Sequence, residues 1–534
     1  MKCSDELWQK STLNPNVDPS LHPKKRTWKD LLLKISPPEP RHSSGLTQRE
    51  RFNSWKFLYD ICHYGPPYFS QFQEDLENFK PEEIDAIRPI VKTPIYPARA
   101  MEYSNSTVSG NISTIENLME QGGVGDPNDV EMQYVVEDMT LHIVLFHGDL
   151  GTGDRIFSVQ LRRSIEKTPW KRFQYVAFVP GLFHVKMACA DAIWRLTIKP
   201  PSARIDETSL MHDISKLRPG ETGIMGSNPG FRRMHQTINH SGICRRLDSW
   251  CVLSSQLDKK HTTLELFAES KPNFTTLQTM ANTLSHQYVA NHNMDRLRRQ
   301  PANQRDEQHE NSLLINKYFL LYEELSYGMN SGDIGRIERC LLPWIFIFRG
   351  TGKHKYAMHL TRFLSDVHFL YNERLKKAVR WNWLVNPTGK ADRFRGVDWC
   401  VELQNLWTKV EHGGSGSTRT IERIIKESPL VQTYQNIRAT IEKNFSLPHL
   451  SSAHSDPNMR KTFQQALLHL SQYNPHKIKP NRKSAHVIPD AIDQGRKALP
   501  SGGAGSVEMA LVDEIADEDE DAPAEVDDVL VELT

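Results

Sequence analysis

The chain has 534 residues, 25% charged and 38% hydrophobic, enough for about two to four domains with ample core. No apolar run approaches the roughly 20 residues that span a bilayer, and the opening MKCSDELWQK lacks an apolar signal core, so neither export nor membrane insertion is expected. Seven scattered cysteines without a C-x-x-C pair fit reduced thiols in an intracellular compartment and argue against a zinc ribbon or finger.

The net charge of +1 hides a polarity. Residues 507–534 carry twelve Asp or Glu and no Lys or Arg, leaving 66 basic against 53 acidic residues in the first 506, a net of +13. A basic body with an acidic tail fits nucleic-acid binding under self-inhibition, and equally a solvated surface with a solubilising tail.

In chain order, residues 1–50 read as a loose, proline-punctuated arm interrupted by one helix at about Thr27–Ile35. Residues 48–90 read as helices whose aromatics (Trp55, Phe57, Tyr59, Tyr64, Tyr68, Phe69, Phe72) make a small core rather than a base-stacking platform. Residues 102–130 read as a long connection with one short helix. A weak strand at Gln133–Val136 precedes the most informative stretch, LHIVLFHGDLGTGDR at Leu141–Arg155. Leu141–Phe146 is a buried-strand pattern, His147-Gly148-Asp149 turns the chain, and a helix over Asp154–Lys167 follows. Asp149 has two readings: a cap for that helix, or a strand-end carboxylate placed where α/β proteins carry out chemistry.

A second strand is expected at Phe173–Val179, then a helix opening at Leu182-Phe183-His184. His184 is either an ordinary histidine at a helix start or a partner for Asp149, because neighbouring parallel strands end on the same side. Gly220–Gly230 is glycine-rich but lacks the G-K-[ST] of a phosphate cradle, which excludes a nucleotide site there. Leu313–Leu325 and Cys340–Phe348 read as buried helices. On a helix over Asp398–Val410, Asp398, Glu402, Asn405 and Lys409 fall at roughly 0°, 40°, 340° and 20°, one polar row. Trp399, Leu403, Leu406, Trp407 and Val410 form its apolar face. Gly413–Ser417 reads as a flexible loop, 446–506 as poor in core residues except Phe463–Leu470, and His476–Lys483 as an import-like basic cluster. The acidic tail is expected to be disordered.

Three blocks together resemble a large uncharacterised family expanded in fungi and present in animal mobile elements. They are Gly148-Asp149 with Thr152, Arg155 and Phe183-His184; Gly332-Asp333 with Arg336 and Lys355-Tyr356; and Trp381, Asn386 and Gly389 followed by Asp398, Glu402, Asn405 and Lys409. The resemblance covers roughly residues 1–445 and implies a transposase-like, DDE-type protein of α/β class, predominantly α-helical. Its RNase-H-like core sheet would be interrupted by a large helical insertion. The implied organisation is an N-terminal arm and helices (1–90), the first part of the core (91–200), the helical insertion (201–375), helices completing the core (376–445), and a linker with the tail (446–534).

The implied chemistry is phosphodiester hydrolysis and strand transfer with Mg²⁺ or Mn²⁺. Asp149, Glu402 and Asp398 would hold metal, Asp149, Glu402 and His184 would be catalytic, and Lys409 would contact a phosphate. Family members usually carry an Asp-Asn pair on an earlier strand; residues 1–30 contain none, so the expected metal site is incomplete. DNA is the expected partner, met by Arg155, Arg162, Arg163, Lys167, Lys171, Arg172 and Lys409, with the nucleus the expected compartment and homo-oligomerisation open. The alternatives are a non-catalytic nucleic-acid-binding or scaffold protein derived from a transposon, and a purely helical interaction protein whose acidic tail binds basic partners.

Overall fold

The computed structural model describes residues 3–16, 26–40, 42–127, 141–412, 420–445 and 458–498. The strand expected at 133–136, the loop at 413–417 and the acidic tail lie outside these residues.

Local sequence signals start the first helices. Thr27 and Thr47 each accept a hydrogen bond from the backbone three residues on, and the Asp30 and Glu50 carboxylates accept one from the backbone N–H of Thr27 and Thr47. These capping boxes open helices Trp28–Ile35 and Gln48–Tyr64. Phe52, Trp55, Phe57 and Phe69 then enter a core shared with Leu247 and Trp250 of helix Gly230–Leu257, as expected for an aromatic core rather than a stacking surface.

The centre of the molecule is helical. Helices Glu307–Ser331 and Ile334–Gly350 are buried around most of their circumference, through Leu314, Tyr318, Tyr322 and Leu325 in the first and Ile337, Leu341, Trp344 and Phe348 in the second. Gly332, at φ +76°, makes the tight turn between them. Pro343 sits inside the second helix and cannot donate to the Arg339 carbonyl. Arg49 takes that carbonyl instead, at 3.2 Å.

The expected RNase-H-like sheet is not evident among the described residues. Among the described residues there is one parallel pair, β1 (Val144–Gly148) with β2 (Val176–Pro180), and one two-residue antiparallel pair, β3 (Leu384–Val385) with β4 (Arg395–Gly396). Helix Leu150–Arg162 joins β1 to β2, so the α/β part among the described residues is a single β-α-β unit. No residue of β1 is fully buried. Two short strands cannot bury enough surface to act as a core. The helices of 201–375, read as an insertion outside a sheet, instead supply the body against which helix Leu182–Thr197 packs.

Residues 458–498, read as part of a linker, also pack on that body. Helix Arg460–Tyr473 buries Phe463, Ala466 and Leu470. A Cβ added to Gly350 would lie 2.6 Å from the Ala491 carbonyl, so helix Ala491–Lys497 touches helix 334–350 almost backbone to backbone. The basic run 476–483 is engaged rather than free: His476 is buried 2.6 Å from Asp248, and Arg482 makes a two-pronged contact with Asp306. No helix among the described residues is long and apolar enough to cross a membrane.

Candidate functional site

The strand register brings two chain exits side by side. Gly148 pairs with Pro180 at the ends of β1 and β2, and the Gly181 N–H donates to the Gly148 carbonyl at 2.9 Å. After β1, Asp149 caps helix 150–162: its Oδ1 accepts the Thr152 N–H at 2.7 Å. After β2, helix 182–197 starts at Gly181, which has no side chain to cap it.

The missing cap comes from 214 residues away. Asp398 Oδ1 accepts the Phe183 N–H at 3.1 Å, and Oδ2 accepts the His184 N–H at 2.9 Å and faces His184 Nδ1 at 2.9 Å. The chain can deliver this carboxylate because the β3–β4 hairpin is fastened on two sides. Trp383 Nε1 donates to the Pro180 carbonyl at 2.8 Å, and the Phe394 N–H donates to the Asn330 carbonyl at 3.1 Å. Gly396 is required next to it, since a Cβ there would lie 2.7 Å from Asp398 Oδ1 and 3.0 Å from the Phe183 nitrogen. A Cβ on Gly181 would strike the same carboxylate.

The electrostatics follow from this packing. Burial disfavours an imidazolium at His184, but the hydrogen bond and charge of Asp398 outweigh it, with Glu402 and Asp149 adding their fields, and its pKa rises to about 9. Burial likewise opposes a charged Asp398, yet His184 and the two backbone donors hold the carboxyl below its ordinary value. Glu402, whose Oε1 lies 3.9 Å from His184 Nε2, is shifted upward by burial, with Asp398 adding to it and His184, Lys409 and Asn405 opposing. His147, on β1, is pushed by burial down to about 4 against the pull of Asp398. The same carboxylate thus acts on a charged imidazole that it touches, His184, and on a neutral one that it reaches only through its field, His147.

The strand-end part of the expected site therefore assembles around His184, which feels Asp149, Asp398 and Glu402 together. As arranged, the donors do not fit a two-metal centre. Asp398 is buried with both oxygens occupied by N–H groups, Asp149 is capping a helix, and Glu402 is half-buried beside His184. Among the described residues, no group of three or more His, Cys, Asp or Glu side chains is arranged to hold a metal ion.

The other named residues separate. Asp333 is buried elsewhere, accepting from the Ile84, Asp85 and Arg336 N–H groups and pairing with the Arg336 guanidinium, so it staples residues 84–87 to the central helices. Arg163 lies over Phe173, and Arg172 lies over Trp8 while donating to the Glu166 and Lys167 carbonyls. Both are packing residues. Arg162, Lys167, Lys171, Asn405 and Lys409 are exposed, and Arg155 is half-buried. Sequence reasoning gave no role to Asp154 or His359, which meet at 2.7 Å with Lys355 at 3.8 Å; Tyr356, named with Lys355 in the second block, reaches the His184 carbonyl with its hydroxyl at 3.4 Å. The one legible signal was the four-residue spacing of Lys355 and His359 on a single helix face.

The chain belongs to a family of unknown function (DUF6589), whose profile matches residues 23–454. No curated protein and no solved structure matches it.

Proposed function

We propose that this family member is a transposase-derived, nucleic-acid-binding protein that binds without cutting. The observation that carries this reading is the closure of Asp398. A phosphodiester-transfer centre needs carboxylate oxygens free to bridge two cations, and here the most central carboxylate is spent on a helix N-terminus and an imidazolium. The strand-end residues then serve to join helix 182–197 to the hairpin 384–396.

Binding to nucleic acid is supported by the net +13 of residues 1–506 and by exposed Arg162, Lys167 and Lys171, which follow one another around the end of helix 150–162. The chemistry is phosphate neutralisation with release of counterions, which carries little sequence preference.

The test pairs two assays on the full chain. Anisotropy of a labelled duplex should show affinity falling steeply between low and physiological salt. Supercoiled plasmid incubated with Mg²⁺ or Mn²⁺ should stay intact. Absent or salt-independent binding overturns the nucleic-acid reading. Metal-dependent nicking that Glu402→Gln abolishes overturns the non-cutting one.

A further inference from the structure

Away from the strand ends, a cleft of about 540 Å³ opens where helices 28–35, 48–64, 307–331, 334–350 and 491–497 meet. Leu320, Leu321, Leu342 and Phe346 give it an apolar lining, and Arg49, Asn53, Lys317 and Arg496 a polar one. A concavity of this size, apolar with a few polar groups, has the make-up of a small-molecule site.

Asn53 is the lining residue that the fold itself leaves unexplained. It lies inside helix 48–64 beside buried Phe52 and Trp55, is only 5% exposed, and its amide makes no hydrogen bond among the described residues. Asparagine in a helix interior lowers helix stability, and a buried amide without a partner lowers it further. Leucine at the same position would carry neither cost. A buried polar group left in this state calls for a partner, and the cleft is the side from which one can come.

The charges around Asn53 say what kind of partner. Arg49 stands one turn before it on the same helix face, and Lys317 and Arg496 line the same cleft. Burial lowers the Lys317 pKa against the pull of Asp490, and Arg49 and Arg496 lower it further, so the three cations lie in one another's field. Most lining carboxylates are engaged: Glu50 by Thr47 and His286, Asp490 by Lys317, and Asp493 by Lys497. Exposed Asp295 is the remaining one. Arg496 lies over the Phe346 ring and has no carboxylate partner among the described residues.

We propose that this cleft binds a small organic anion, with a phosphate monoester or carboxylate head group on a flat body that carries an uncharged hydrogen-bonding edge. The head group takes the N–H donors of Arg496 and Lys317, the edge pairs with the Asn53 amide, and the body lies against Leu320, Leu342 and Phe346. The inference stands independently of the nucleic-acid reading.

The test is calorimetry on the full chain with adenosine monophosphate, 4-acetamidobenzoate, adenosine and inorganic phosphate. The first two carry both head group and edge, and saturable binding of either supports the site; the tighter of them assigns the head group as phosphate or carboxylate. Adenosine, without the charge, and inorganic phosphate, without the body, should each bind more weakly. Asn53→Leu should weaken binding about tenfold while melting no lower than the parent chain, because it removes a buried group that the fold does not satisfy. Arg496→Gln, on an exposed side chain, should weaken binding about fivefold or more with melting unchanged. Changing Arg162, Lys167 and Lys171 together to Ala should leave binding as it is. No saturable binding of either anion, equal binding of adenosine or inorganic phosphate, or binding indifferent to both cleft variants overturns the proposal. A loss in the Arg162, Lys167, Lys171 variant moves the binding to that surface and overturns it too, and a clearly lower melting temperature for Asn53→Leu shows that the fold uses the amide after all.

Discussion

His184 and Asp398 face each other across 2.9 Å, buried, although 214 residues separate them. The contact is more than an ion pair, because the same carboxylate also takes the backbone N–H groups of Phe183 and His184. One side chain thereby closes a helix N-terminus and holds an imidazole in its charged form.

Replacing Asp398 by Asn is expected to cost about 3–5 kcal/mol, since removing one partner of a buried pair leaves the other charge uncompensated. Urea unfolding of the two proteins measures it. A cost below about 1 kcal/mol would mean the pair is solvated and does not hold the hairpin to helix 182–197.

The pH profile should follow from the two histidines in the field of Asp398. The folded-state pKa of His184, about 9, lies above its ordinary 6.5, so its contribution is full below 6.5 and is lost as pH rises through about 9. That contribution is about 3 kcal/mol. Burial pushes His147 down to about 4, so its contribution is present above 6.5 and lost as pH falls toward 4. Denaturant midpoints measured from pH 4 to 10 should therefore peak near neutrality, and His184→Gln should flatten the alkaline limb alone. An alkaline limb unchanged in that variant would show the imidazolium assignment to be wrong.

The basic residues around helix 150–162 should divide by role. Changing Arg162, Lys167 and Lys171 together to Ala should weaken duplex binding and lower the salt slope by about 2–3, with melting unchanged. Arg163→Ala and Arg172→Ala should instead lower stability through the lost contacts with Phe173 and Trp8. Binding assays and melts on both sets would expose a reversed pattern.

Asp149→Ala should cost about 1 kcal/mol and Asp149→Asn almost nothing, because an amide oxygen can still accept the Thr152 N–H. Equal losses in thermal unfolding for the two variants would mean that the charge of Asp149, rather than its cap, is what the fold uses.

The sequence by itself determined the local elements. Alternating and continuous apolar runs located β1, β2 and helix 182–197, and the polar row of Asp398, Glu402, Asn405 and Lys409 located helix Val397–His412, because periodicity and capping are properties of a few neighbouring residues. It also carried the strand-end position of Asp149, though not the use to which that carboxylate is put. Only the tertiary structure decided which member of the row turns inward. Asp398 lies in the first turn, where the helix leaves the hairpin against Phe183 and His184, and is buried, while Asn405 and Lys409, about two and three turns on, are exposed. The small sheet was illegible for the same reason. Strands declare themselves locally, but how many pair, and whether a helix packs outside them or forms the core in their place, depends on apolar surface contributed by residues hundreds of positions apart.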